Sequence, residues 1–171
     1  MDVPFDLPKF SSIDPPDIDT TAPDFTRTLV TEEYWENQSL SDLTQDRSVL
    51  LCFHPMIGSF PAIYFWNEVA DRDWENEYNV RVVGCTISTP YALIEFIKKR
   101  SLPSPIFSDP ANTVAERFDI AHDLDGMAGV SEPRPATFLI DHEMTIRHRW
   151  IAEEWPEFPP YDAIETALQE I

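Results

Sequence analysis

Five consecutive apolar or β-favouring residues, Val49-Leu-Leu-Cys-Phe53, run into Pro55, Gly58 and then Pro61. A run this short and this apolar reads as a strand buried on both faces, which a parallel or mixed sheet requires. Pro55 and Gly58 break it. Pro61, with its fixed φ and missing N–H, suits the first turn of a helix, so the segment reads as strand, loop and helix N-terminus. A chain organised around such a unit must cover both faces of its sheet with helices.

The remaining pattern agrees. Arg81-Val-Val-Gly-Cys-Thr-Ile87 reads as a second buried strand, and Ala136-Thr-Phe-Leu-Ile140 with Thr145-Ile-Arg-His-Arg-Trp150 as a β-hairpin turned by Asp141-His-Glu-Met144. Apolar spacing predicts helices over 61–78, 90–100 and 161–171, and Asp109 to Phe118 as a shorter one. Lys98, Lys99 and Arg100 complement the C-terminal dipole of the second. Thr31 to Glu36 reads as a helical turn, and Ser39 suits an N-cap. Residues 1–21, with Pro4, Pro8, Pro15 and Pro16 among acids, read as an extended or disordered arm. The domain is therefore expected over 22–171, with the arm dispensable for folding.

At 171 residues the chain fits one domain, able to bury roughly 70% of its unfolded surface without a staple. The formal charge of −19 comes from 31 acidic against 12 basic residues, which excludes the basic stripe that nucleic acid needs. The acids are dispersed, so the surface is expected to be solvated, acidic and adapted to a salt-rich cytoplasm, where repulsion is screened. No apolar run is long enough to span a membrane, and the first ten residues lack the charged and apolar regions of a signal peptide.

Several separated segments resemble peroxiredoxins of the alkyl hydroperoxide reductase/thiol-specific antioxidant (AhpC/TSA) type. They are Ala22-Pro-Asp-Phe-Thr26, Ser39-Leu-Ser-Asp-Leu43, Val82-Val-Gly-Cys-Thr-Ile-Ser88, Phe107-Ser-Asp-Pro-Ala-Asn-Thr-Val-Ala115 and Ala136-Thr-Phe-Leu-Ile-Asp141. Their order and spacing carry the resemblance. It implies an α/β, thioredoxin-like fold of peroxiredoxin type, with a central mixed β-sheet flanked by helices. It also implies an antioxidant, thiol-dependent peroxide-reducing activity, a peroxide or thiol-redox partner, a homodimer, and neither cofactor nor metal.

The same resemblance locates the reactive loop, P-x-x-x-[T/S]-x-x-C. Here it supplies Pro55 and Ser59 but places Ala62 at the cysteine position, and Asn67 at the in-helix resolving position. A methyl group cannot become the thiolate that attacks peroxide. The family's arginine, two residues before the threonine of T-F-L-I-D, corresponds to Pro135, with Arg134 one residue early. A one-residue shift on a strand reverses the face, so Arg134 replaces it only if the backbone bulges.

Cys52 and Cys85 are the remaining sulfur nucleophiles. Mid-strand cysteines in apolar surroundings are usually inert, though neighbouring strands could bring the two thiols close; Cys85, nearer a strand end, is the outside catalytic candidate. His54, His122, His142 and His148 show no zinc-ligand spacing, and Ser59 has no evident His/Asp pair to activate it. Trp66, Trp74, Trp150 and Trp155 read as core or interface anchors. Two functions follow as expectations: a peroxiredoxin-like protein that has lost the cysteine mechanism and retains at most weak thiol oxidoreductase activity, or a non-catalytic module binding a ligand or protein on the same scaffold.

Overall fold

The computed structural model describes residues 10–124 and 126–171. Its centre is a seven-stranded mixed sheet, built from β1 (Thr26–Val30), β2 (Trp35–Ser39), β3 (Ser48–Phe53), β4 (Val80–Thr86), β5 (Ile106–Ser108), β8 (Ala136–Ile140) and β9 (Ile146–Ile151) in the order β2-β1-β5-β4-β3-β8-β9. A separate two-stranded ribbon joins β6 (Ala121–Asp123) to β7 (Ser131–Pro133). β3 lies parallel to β4 and antiparallel to β8, so it is flanked on both sides at the sheet centre, which is why all six of its residues are buried.

Side-chain alternation divides the core in two. Val49, Leu51, Phe53, Val83, Cys85, Phe107 and Phe138 point to one face, where they meet Leu40 and Leu43 of α1 (Leu40–Asp46) and Val114 of α5 (Thr113–Arg117). Leu50, Cys52, Val82, Ile106 and Leu139 point to the other. That face is covered by α2 (Phe60–Arg72), α4 (Pro90–Arg100) and α6 (Tyr161–Gln169), through Phe65, Trp66, Leu93, Ile97, Ile164 and Leu168. A Cβ on Gly84 would lie 2.5 Å from the Trp66 ring, so the glycine in β4 is what lets this indole seat against the sheet.

Three local expectations are corrected. The single helix over 61–78 ends at Arg72, because Asp73 adopts the left-handed conformation (φ 50°) and its N–H caps Val69. The chain then restarts as the short α3 (Trp74–Glu77), which turns Trp74 into the core with its indole N–H donated to Glu165. Thr31 to Tyr34 is the turn of the β1–β2 hairpin, its Thr31 N–H donating to the Tyr34 carbonyl, and Trp35 and Glu36 already belong to β2. Residues 10–21 run without helix, turn at Asp17–Thr20 and are tightly attached: Asp19 donates its N–H to the Ile146 carbonyl, Ile146 donates to the Thr20 carbonyl, and Thr21 bridges Thr145 beside β9. Structure thus starts before Ala22, because this segment satisfies edge groups that β9 would leave open, while residues 1–9 of the expected arm lie outside the described residues.

Candidate active site

Beyond β3 the backbone turns through a closely pinned loop. His54 donates its N–H to the Cys85 carbonyl, and its ring bridges two partners: Nε2 accepts the Trp66 indole N–H at 3.1 Å, and Nδ1 lies 2.8 Å from the Pro55 carbonyl. Because an indole N–H can only donate, Nε2 carries no proton and Nδ1–H donates to Pro55. Thr86 donates its hydroxyl to the same carbonyl at 3.1 Å. Full burial lowers the His54 pKa to about 4, so the ring is neutral at pH 7. This is a satisfied structural histidine beneath the loop.

The loop continues with the Ile57 N–H on the Ser88 hydroxyl and the Met56 N–H on Glu132 Oε2, then turns at Gly58 (φ 88°) into α2. Ser59 occupies the N-cap position, but its hydroxyl donates back to the Met56 carbonyl at 2.7 Å and makes no cap bond. Ala62, in the first turn, is completely buried. Above the loop lies a cleft of about 920 Å³, lined by Pro55, Ile57, Ser59, Glu132 and Trp155 together with Phe10 and His122. His122 and Glu132 are direct cross-strand partners in the β6–β7 ribbon.

Pro55 and Ser59 thus line the cleft, while Ala62 lies beneath it. Arg134 does not join them. Its side chain is buried against the N-terminal segment, the guanidinium 4.6 Å over the Phe10 ring and Nη2 donating to the Ser11 carbonyl, beside a neighbouring groove that also contains Arg149. The conditional replacement of the family arginine fails here because residues 10 and 11, far away in sequence, capture its charge.

Cys52 and Cys85 do not approach one another. In the β3–β4 register Cys52 stands opposite Gly84, and Cys85 opposite Phe53, so the two thiols fall on opposite faces of the sheet and in different halves of the core. Both are fully buried, and burial pushes both thiols far above their ordinary range; at Cys85 the Asp109 carboxylate pushes further in the same direction. The Arg27 charge pulls the other way but is outweighed, so Cys85 lacks the exposed, thiolate-favouring surroundings of an activated nucleophile.

Among the described residues there is no cluster of His, Cys, Asp and Glu placed to hold a metal, and no helix is long and apolar enough to cross a membrane. Sequence reasoning missed Phe10, His122, Glu132 and Trp155 as site residues. They belong to no motif and meet only through long-range packing.

A parallel β3–β4–β5 core, an antiparallel β8–β9 edge and a loop leading into the α2 N-terminus define a thioredoxin-like domain of peroxiredoxin type. The sequence profile of the AhpC/TSA family matches residues 18–149, and the chain belongs to that family. It is 25% identical over 146 residues to the chloroplastic 2-Cys peroxiredoxin BAS1 of Hordeum vulgare, covering 81% of this chain and 67% of the relative. It is 28% identical over 135 residues to the chloroplastic 2-cysteine peroxiredoxin of Chattonella marina var. antiqua, covering 74% and 66%. The chain thus spans about two thirds of the length of these relatives. The fold matches the reduced 2-Cys peroxiredoxin of Plasmodium vivax (TM-score 0.74, 17% identity, 90% of this chain and 81% of the other). It also matches peroxidoxin BcpB of Mycobacterium tuberculosis (TM-score 0.72, 23% identity, 89% and 94%).

Proposed function

We propose that this AhpC/TSA family member does not run the cysteine peroxidase reaction, and that it uses the cleft above the α2 N-terminus as a binding pocket. The observation that carries the reading is the position of the two cysteines: both sealed in the core, on opposite faces of the sheet, with their thiolates disfavoured. Only the thiolate reduces a peroxide, and the position that the family pattern assigns to it is Ala62. The residues that would assist it are also committed elsewhere, Ser59 to Met56 and Arg134 to Ser11 and Phe10. What the scaffold retains is a concave, largely apolar cleft with a few convergent polar groups, the usual form of a small-molecule site.

Chemical trapping tests this reading. Native protein treated with hydrogen peroxide in the presence of dimedone is expected to carry no sulfenic-acid adduct at Cys52 or Cys85 by peptide mass mapping, and both thiols are expected to alkylate only after unfolding. A dimedone adduct on either cysteine of the folded protein would overturn the proposal.

A further inference from the structure

Glu132 is 2% exposed and lines the cleft, yet among the described residues its carboxylate receives a single hydrogen bond, the Met56 N–H to Oε2 at 3.3 Å. No lysine or arginine among those residues forms an ion pair with it. A buried acid so sparsely partnered is costly unless it is neutral or finds a positive charge. Burial accordingly pushes its carboxyl above the usual range. The other carboxyl groups on the described wall are Glu116 and Asp123, and no lysine or arginine is among the described residues that line the cleft.

The α2 N-terminus, which borders the cleft through Gly58 and Ser59, favours anions. Its field is equivalent to about half an elementary charge, and the Met56 N–H beside it already serves Glu132. Three acids outweigh that half charge. The remaining wall is mainly apolar and aromatic, with Ile57, Leu124, Met127 and Trp155 beside the hydroxyls of Ser11, Ser59 and Ser131 and the imidazole of His122, and the net charge of −19 draws cations toward the whole surface.

We infer that the cleft takes a small organic ammonium ion with an apolar body, the ammonium on the Glu132 carboxylate and the body against Ile57, Met127 and Trp155. This rests on the reading of the cleft as a binding pocket and names its ligand class. An ammonium supplies the counter-charge that the fold withholds from Glu132, and a charge-assisted hydrogen bond in a partly dehydrated cleft discriminates sharply against a neutral or anionic analogue.

Calorimetric titration with phenethylammonium, 2-phenylethanol and phenylacetate, three probes sharing one apolar body, tests it. Wild-type protein is expected to bind the ammonium about tenfold or more tighter than either analogue, and Glu132→Gln to remove about tenfold of that preference. Met127→Lys, at a half-exposed rim position, removes an apolar contact common to all three probes and adds a positive charge, so it is expected to weaken the ammonium more than either analogue. It keeps the test decisive if Glu132→Gln does not fold. Equal binding of all three probes, or preference for phenylacetate, would overturn the inference while leaving the pocket reading intact. Failure of all three to bind would overturn the inference, and dimedone trapping at a native cysteine would separately overturn the function on which it rests.

Discussion

Deleting residues 1–21 should destabilise the domain by about 3 kcal/mol or more and make it self-associate. Ile13 packs on the core cluster and the half-buried Phe10 lies under the Arg134 guanidinium, and losing two such contacts costs about 1–2 kcal/mol each. The Arg147–Asp19 and Arg149–Asp17 pairs are exposed and add little. Arg134 loses both the Phe10 face and the Ser11 carbonyl, a loss that hydration of the uncovered guanidinium partly offsets. Removing the segment also frees the β9 backbone groups now paired with Asp19 and Thr20, creating a bare sheet edge. Urea unfolding and sedimentation of residues 22–171 beside the full chain measure both effects. An unchanged midpoint and a monomeric fragment would show the segment to be an ornament.

Stability should fall by about 3 kcal/mol between pH 7 and pH 4 on account of His54 alone. Its folded pKa of about 4 lies below the unfolded value of 6.5, so between those values the unfolded chain binds the extra proton. The stability is therefore full above about pH 6.5, lost as pH falls toward 4, and changed no further below that, where both states are protonated. The gap between 6.5 and about 4 corresponds to about 3 kcal/mol. Burial is the main cause, and the geometry adds to it: a proton on Nε2 would face the Trp66 N–H, which needs an acceptor there. His54→Gln keeps an acceptor for the indole and a donor for the Pro55 carbonyl without titrating. Subtracting its pH profile from that of the wild type removes the common carboxylate contribution. The two profiles running parallel from pH 7 to 4 would refute the assignment.

Elements governed by local chemistry were legible in the sequence. The apolar run ending at Phe53 became β3, the Pro90 to Arg100 segment became α4 with Thr89 as its cap, and Ser39 caps α1 through the Asp42 N–H. The β8–β9 hairpin follows its alternation. The break at Asp73 was hidden because the apolar period continues through Trp74, and only packing against α6 explains why the backbone turns there.

The site divides in the same way. Pro55, Ser59 and Ala62 could be placed because they sit on a contiguous loop-to-helix segment. Arg134 could not be oriented, since its direction is decided by a segment 123 residues earlier in the chain. Glu132 gave no signal at all: a lone acid between Ser131 and Pro133 becomes informative only once the ribbon places it over Met56. The cysteine pair illustrates register. Neighbouring strands bring residues 52 and 85 close along the backbone, but the one-residue offset in pairing sends their side chains to opposite faces.

The central claim, that a peroxiredoxin-family scaffold here operates without a peroxidatic thiol, is tested most directly by the rate of hydrogen peroxide consumption with an excess of dithiol reductant. Wild-type protein and a Cys52→Ala, Cys85→Ala double variant, both verified as folded, are compared at equal concentration in low and in molar salt. Both proteins are expected to consume peroxide at the same rate as buffer with reductant alone. A wild-type rate well above that background, lost in the double variant, would contradict it.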